Sequence, residues 1–154
     1  GLSPTSVKYR GLAGALNLLA ETVRTNFRTP CTCEVDAGLA INNEDKETHL
    51  FRIAQEAVNN ALRHGKPGKV KISLHGTEQR ECELCVEDDG AGIRKTKSAP
   101  ESGIGMRVME YRANLIGGRL KIQNKPKRGV IVTCRFECDE AKKVKSPRKR
   151  KSTQ

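Results

Sequence analysis

The sequence has no apolar run close to the roughly 20 residues that cross a bilayer as a helix. Its first residues also lack the basic-then-apolar layout of a secretory signal peptide. We therefore expect a soluble chain in the cytoplasm, without a membrane span. No internal repeat is visible, and 154 residues with 36% hydrophobic and 31% charged side chains suffice for one domain with a single core.

Aromatic residues are missing from the strongly basic C-terminal end. Residues 142–154 contain seven Lys or Arg side chains and no acid, so they account for seven of the formal net charge of +11 and leave +4 on the rest. We predict that residues 139–154 form a disordered basic tail, because runs of like charge are usually solvated. Nucleic acid or an anionic surface is an alternative partner through this tail alone, although the tail lacks the interleaved aromatics that stack on bases.

Six cysteines leave a zinc site or a disulfide framework open as alternatives, since Cys82 and Cys85 have the spacing of a zinc knuckle. The segment around them alternates like a β-strand, however, and residues three apart in a strand point to opposite faces. They cannot converge on one metal ion without a turn between them. We therefore expect ordinary reduced thiols that pack as small hydrophobic side chains.

Apolar periodicity predicts three helices and five strands. Apolar side chains recur at helical spacing in residues 11–27, 47–64 and 105–116. They alternate with polar ones, as in strands with one buried face, near residues 31–35, 70–74, 82–86, 120–122 and 130–136. The second and third strands flank a turn at Gly76 and should pair antiparallel. The order of elements predicts an α/β two-layer sandwich, in which three helices cover one face of a mixed, mainly antiparallel sheet.

The longest predicted helix has a polar face that suits either solvent or a ligand. Glu56, Asn60 and His64 lie at positions i, i+4 and i+8. A solvated surface with an Arg52–Glu56 ion pair is one interpretation. Two consecutive asparagines cost helix propensity, however, and a role as an oxygen ligand for Mg²⁺ would explain Asn60.

A turn rich in Asp and Gly, Asp88-Asp-Gly90-Ala-Gly92, directly follows a predicted strand. Glycines there allow positive φ and let a flat ligand approach the backbone. Asp88 could accept a hydrogen bond from the amino group of adenine, whereas guanine presents a carbonyl at that ring position. Asp and Gly are also ordinary turn residues, so a plain turn is the alternative.

Residues 89–104 have little periodicity and many Gly, Ser, Pro and Lys residues, which predicts a long functional loop that we interpret as a lid. The loop ends at Gly103-Ile-Gly105, where backbone N–H groups and the positive end of a helix dipole could meet phosphates. A flexible entry into the helix is the alternative. The loop also contains cations that either bind phosphate or only solubilise it, namely Arg94, Lys95 and Lys97.

Taken in this order, the three segments resemble the nucleotide-binding motifs of a known superfamily. LFRIAQEAVNNALRHG (50–65) resembles the N box, VEDDGAGI (86–93) the G1 box, and SGIGMRVMEYRANLIGG (102–118) the G2 box of histidine-kinase ATPase domains, which belong to the GHKL superfamily. Within it, the patterns Q-E-A-x-x-N-A-L-R-H (55–64) and G-x-G-M-x-x-M-x-x-R (103–112) are similar to the nitrate-sensor-like branch of sensor histidine kinases. The resemblance implies the GHKL, or Bergerat, ATP-binding fold for residues 31–138. Residues 1–30 resemble the linker and helix that join a dimerisation module to such a domain.

The resemblance also implies a role for each motif residue. Asn60 would coordinate Mg²⁺, Arg63 and His64 would approach the phosphates, and Asp88 would bind the adenine amino group. Glu56 would act either as a general base or as an organiser of the Mg²⁺ shell. The residues implied to bind or shape the nucleotide site are Asn60, Arg63, His64, Asp88, Gly90, Gly92, Ile93, Gly103, Ile104, Gly105 and Met106.

The implied activity is that of an ATP-dependent protein-histidine kinase, with ATP and Mg²⁺ as cofactors. The γ-phosphoryl group would pass to a His on a dimerisation domain outside this chain, because His49, His64 and His75 do not lie in the family's acceptor motif. The implied partners are that phosphoacceptor domain and a response regulator, and the parent kinase could be membrane-anchored. The isolated chain would be a weak ATPase. Another GHKL ATPase or an anti-sigma-factor Ser/Thr kinase is the alternative.

Overall fold

The computed structural model describes residues 5–39, 41–93 and 103–139. It contains three α-helices, α1 (Thr5–Asn26), α2 (Glu44–Asn60) and α3 (Ile104–Leu115). A π turn, Ala61–Gly65, continues α2. The five strands are β1 (Cys31–Val35), β2 (Val70–Gly76), β3 (Glu81–Asp88), β4 (Arg119–Asn124) and β5 (Val130–Glu137). The predicted lid cations Arg94, Lys95 and Lys97 and nearly all of the predicted basic tail lie outside the described residues.

The strands form one sheet in the order β1-β2-β3-β5-β4. The β1–β2 pair is parallel, because α2 carries the chain back across the sheet between them, and the other three pairs are antiparallel. β5 is therefore inserted between β3 and β4. The predicted mixed, mainly antiparallel sheet and the α/β sandwich are confirmed.

All three helices pack on one face of this sheet. α2 contacts α1 on one side, α3 on the other and β3 beneath it. Its apolar positions at helical spacing, such as Leu50, Ile53 and Ala57, are buried against the alternate residues Ile72 and Leu84 of the strands. None of the helices in the described part of the chain is both long and apolar enough to cross a membrane.

The helix boundaries differ from those predicted. α2 begins at Glu44, because the side chain of Asn43 accepts a hydrogen bond from Lys46 N at 3.2 Å and so caps the helix three residues earlier than expected. The α-helical part then ends at Asn60, and the last predicted turn is the π turn. α1 begins before its predicted start, with an interruption at Gly11, which has φ 69° and ψ 174°.

The interruption at Gly11 exposes the start of a new helical segment, and α2 caps it. Leu12 N donates to Glu47 Oε1 at 3.3 Å, a contact between residues 35 apart in sequence. This bond satisfies an N–H group that has no partner within its own helix. The entering helix is thus tied to the start of α2.

We expect the Glu47→Gln variant to be slightly more stable than the wild-type protein at pH 7 and no more stable near pH 4. Partial burial raises the pKa of Glu47, against the opposing effect of the hydrogen bond from Leu12. A carboxyl with a raised folded-state pKa stabilises the fold when protonated and loses that contribution as pH rises through this pKa. The gain from a half-exposed group is a fraction of a kcal/mol. Urea unfolding at both pH values measures it, and Glu47→Ala, which lacks the acceptor, should be less stable at both.

Cys82 and Cys138 form a disulfide, so the expectation of reduced thiols is wrong for this pair. Cys82 pairs with Phe136 in the β3–β5 register, and the chain past β5 stays beside β3, since Cys138 N donates to Arg80 O at 3.1 Å. The two sulfur atoms meet because of that register. Sequence alternation predicts strands but not which residues face each other across them.

The other four cysteines are free thiols. Burial raises the pKa of Cys33 and of Cys134 to about 11, so both stay protonated and unreactive at neutral pH. Cys85 pairs with Ser73 and Thr133 in the neighbouring strands and does not approach the disulfide.

Candidate functional site

A cavity of about 840 Å³ lies where α2, the end of β3, the start of α3 and the β4–β5 hairpin meet. This volume falls within the roughly 300–1,000 Å³ of typical small-molecule sites. Part of the wall is apolar and comes from side chains of the sheet and α3, which are Val86, Met109, Ile122, Val130 and Val132. Such a surface suits a flat, weakly polar ring.

The structure brings nearly all of the predicted site residues to this one cavity. Those that line it are Glu56, Asn60, Arg63, His64, Asp88, Gly92, Ile93, Gly103, Ile104, Gly105 and Met106. Gly90 is the exception and lies behind the wall. A Cβ atom at Gly90 would come within 2.5 Å of the Gly65 carbonyl oxygen, so this glycine lets the turn pack against the end of the π turn.

One wall comes from the last turns of α2. Glu56 and Asn60 lie one helical turn apart on it, and the α-helix then widens into the π turn that contains Arg63 and His64. Such widened turns are frequent at functional sites. The turn ends at Lys66, which has φ 42° and also lines the cavity. The prediction of an α-helix through His64 is therefore wrong for its last turn, which is a π turn, although His64 still lines the cavity.

The deepest polar group of the cavity is the Asp88 carboxyl, with a relative exposure of only 6% for the residue. Its Oδ1 accepts a hydrogen bond from Gly90 N at 2.7 Å. The turn is held from the other side by Ala91 N, which donates to Gly65 O at 2.9 Å. The carboxylate is therefore fixed in orientation, with the cavity in front of it.

The neighbouring Asp89 has a different role. Its Oδ1 accepts from Lys69 N at 2.8 Å, and this hydrogen bond lowers the pKa of Asp89. Asp89 does not line the cavity. Of the two consecutive acids, only Asp88 lines the cavity.

The third wall is the first turn of α3. Gly103 is its N-cap residue and provides no side-chain cap, so the first N–H groups of this helix depend on other partners. Gly105 lies directly against α2, because a Cβ atom there would overlap the Glu56 carboxylate. The absence of a side chain at this position brings the positive end of a helix dipole beside Glu56 and Asn60.

Sequence reasoning missed the wall formed by the β4–β5 hairpin. Arg128 lines the cavity, and its Nε donates to Gly90 O at 3.2 Å. Gly129 lies against the backbone of Asp88, where a Cβ atom would overlap the carbonyl oxygen. The hairpin stands in none of the three motifs. A sequence signal was Gly129, which directly precedes the predicted strand at 130–136 and has φ 99° in the structure.

The cavity is lined by side chains of both charges. The carboxylates are Glu56 and Asp88, and the basic side chains are Arg63, His64, Lys66 and Arg128. Arginine and lysine attract phosphate oxygens, and a buried carboxylate selects a hydrogen-bond donor. The cavity therefore suits a ligand that combines an amino-bearing ring with an anionic group.

The sequence profile of the histidine kinase-, DNA gyrase B- and HSP90-like ATPase family matches residues 45–140. The chain is 35% identical over 117 residues to the sensor histidine kinase LiaS of Bacillus subtilis. The matched region covers 76% of this chain and 31% of LiaS. The chain is 25% identical over 135 residues to the nitrate/nitrite sensor protein NarQ of Escherichia coli, covering 88% of this chain and 24% of NarQ. The chain thus spans no more than about a third of these two relatives.

Among solved structures, the histidine kinase domain of the blue-light activated histidine kinase of Erythrobacter litoralis has a similar fold. The TM-score is 0.69 at 20% sequence identity, covering 81% of this chain and 60% of that one. At this level of identity the likeness concerns the fold alone, and it agrees with the sheet order and helix placement described above.

Proposed function

Because the chain belongs to the histidine kinase-, DNA gyrase B- and HSP90-like ATPase family, as the ATP-binding catalytic domain of a sensor histidine kinase, we propose that it binds Mg·ATP in this cavity for phosphoryl transfer to a protein histidine. The observation that carries the proposal is the buried Asp88 carboxyl at the end of β3, with the glycine entry of α3 across the same cavity. These are the two contacts that the adenine and the phosphates need.

The adenine amino group would donate a hydrogen bond to Asp88, since a carboxylate can only accept. Gly90 N donates a hydrogen bond to Asp88 Oδ1, and this bond keeps the carboxyl group from rotating away from the cavity. Val86 and Val132 lie on the neighbouring strands and provide apolar contact for the ring faces. Guanine, which presents a carbonyl oxygen at the corresponding position, would be repelled.

Asn60 and Glu56 fit a magnesium ion by the chemistry of their donors. Both present side-chain oxygens to the same cavity from successive turns of α2, and Mg²⁺ in proteins prefers oxygen ligands. A bound Mg²⁺ would neutralise charge on the transferring phosphoryl group. Arg63, His64 and the N–H groups that open α3 would hold the phosphates in line for attack, which leaves mostly positioning to the protein.

The start of α3 also offers a surface for the phosphoacceptor partner. Four apolar side chains form an exposed α3 apolar row at helical spacing, with relative exposures of 82%, 39%, 64% and 53% for Ile104, Val108, Tyr111 and Leu115. Ile104 also lines the cavity, so the row begins where the phosphates would lie. A dimerisation domain whose histidine must reach the γ-phosphate would dock here, and the phosphohistidine would then serve a response regulator.

We expect radiolabel from [γ-³²P]ATP to appear on the histidine of the parent kinase's dimerisation domain when this chain is added. The double change Val108→Ser and Tyr111→Ser should reduce the rate of transfer about tenfold or more, because buried aromatic anchors dominate such interfaces. Nucleotide affinity, measured with a fluorescent ATP analogue, should stay unchanged, since neither side chain lines the cavity.

Tyr9→Ser is the matched control, because Tyr9 is an exposed tyrosine on α1, with a relative exposure of 79%. It should transfer phosphate at the wild-type rate. Transfer to serine or threonine in place of histidine would assign the chain to another branch of the superfamily. If the Tyr9 variant lost as much of the transfer rate as the α3 variant, the proposal that the α3 apolar row is the docking surface would be wrong.

A further inference from the structure

The nucleotide cavity has a wall residue, Ile93, that lies outside the sheet and is held by a side chain from a distant strand. Asn124, the last residue of β4, accepts a hydrogen bond from Ile93 N with Oδ1 at 2.7 Å. Its Nδ2 donates to Ile93 O at 3.2 Å. Both polar groups of one main-chain residue are thus bound by one side chain, 31 residues away in sequence.

The Asn124 side chain also limits the room at Gly92, the residue before Ile93. Gly92 has φ 81°, and a Cβ atom there would lie 3.0 Å from Asn124 Oδ1. β3 ends at Asp88, so the sheet provides no ladder bonds for Gly92 and Ile93. The amide of Asn124 takes the place of a neighbouring strand for these two residues.

We propose that Asn124 is a positioning residue of the nucleotide site, which holds Ile93 in place as a wall of the cavity through this two-point amide contact. The inference rests on the proposed ATP-binding function. The amide of Asn or Gln combines a donor and an acceptor on one planar group at every pH, and Gln would place that amide one methylene further out. An ionised Asp at position 124 could still accept the hydrogen bond from Ile93 N. Its second oxygen would face Ile93 O, however, and two acceptors repel each other.

The test compares Asn124→Asp with the wild-type domain. At pH 8 we expect the Kd for Mg·ATP and for Mg·ADP to rise by about five- to tenfold, as one hydrogen bond is lost and two acceptors face each other. The KM for ATP hydrolysis should rise in parallel while kcat stays constant, because in this proposal Ile93 shapes the wall that binds the nucleotide and takes no part at the reacting phosphate. The loss should shrink towards pH 4.5, where a protonated carboxyl again offers one donor and one acceptor.

Gln123→Glu is the matched control, because it makes the same amide-to-carboxylate change on the neighbouring, exposed residue of β4. It should bind nucleotide like the wild type at every pH. A fall in kcat with unchanged KM in Asn124→Asp, or wild-type affinity in a folded Asn124→Asp, would overturn the positioning role.

Hydrogen exchange at the Ile93 amide separates this inference from the proposed function. Without nucleotide, the Ile93 N–H should exchange more slowly in the wild type than in Asn124→Ala, and equal rates would refute the contact itself. If the wild type shows this protection yet binds no ATP, the proposed function fails and the positioning role fails with it, while the Asn124–Ile93 contact stands as structure alone.

Discussion

Replacing Gly129 by alanine should destabilise the domain by at least about 3 kcal/mol and abolish nucleotide binding. Gly129 is buried at φ 99°, a conformation that costs a side chain about 1–3 kcal/mol. An added Cβ atom would also overlap the carbonyl oxygen of Asp88, which is backbone and cannot swing aside. The hairpin would therefore have to separate from the end of β3. Urea unfolding and nucleotide titration measure the two effects.

Gly117→Ala is the control that separates the two causes. Gly117 has φ 69°, but a Cβ atom there would meet nothing within 4 Å. We expect it to cost about 1 kcal/mol through backbone strain alone and to leave nucleotide affinity intact. If Gly129→Ala were no more harmful than Gly117→Ala, the close contact between the hairpin and Asp88 would not be a feature of the folded protein.

Asp88→Asn should weaken ATP binding by about 30- to 100-fold with little change in stability. An asparagine oxygen can still accept from Gly90 N, so the turn keeps its internal bond. The remaining amide group is then a donor that faces the donor of adenine, and an unpaired buried polar group costs about 1–3 kcal/mol. Isothermal titration with Mg·ATP measures the loss, and Mg·GTP should gain relative to ATP.

Asp89→Asn is the matched control for this change. Asp89 is the adjacent acid and binds Lys69 N, away from the cavity. It should retain wild-type ATP affinity. If Asp88→Asn also retained it, Asp88 would not be the adenine contact, whatever the outcome for phosphoryl transfer.

The elements of the fold could be predicted because apolar side chains recur in each of them at the spacing of a helix or a strand. The apolar spacing of α2 and the alternation of β2 and β3 are local patterns, and they gave the element types and the sandwich. The ends of α2 could not be predicted in the same way, since a cap such as Asn43 and a π turn at Ala61–Gly65 depend on single contacts. The register that brings Cys82 to Cys138 depends on pairing between distant strands. Neither segment carries a sequence pattern that predicts this pairing.

The candidate site likewise contains residues that the sequence predicts and residues that it does not. Glu56, Asn60, Asp88 and the glycines before α3 stand in short motifs, so their residue types and spacing could be read along the chain. Arg128 and Asn124 act through main-chain groups of Gly90 and Ile93, which lie 38 and 31 residues away. Neither side chain stands in one of the three motifs. Only the insertion of β5 beside β3 brings their hairpin to the turn after Asp88.

This insertion has a consequence for the order of folding. β5 is the last strand among the described residues but lies between β3 and β4, so the sheet stays divided until β5 has closed a loop of some forty residues back to β3. Contacts of such long separation form late and slowly. The cavity should therefore appear only at the final step of folding, after residues 130–137 have left the ribosome. Nucleotide binding during refolding would then report the completed domain, and a chain stopped after α3 would have every motif residue and no site.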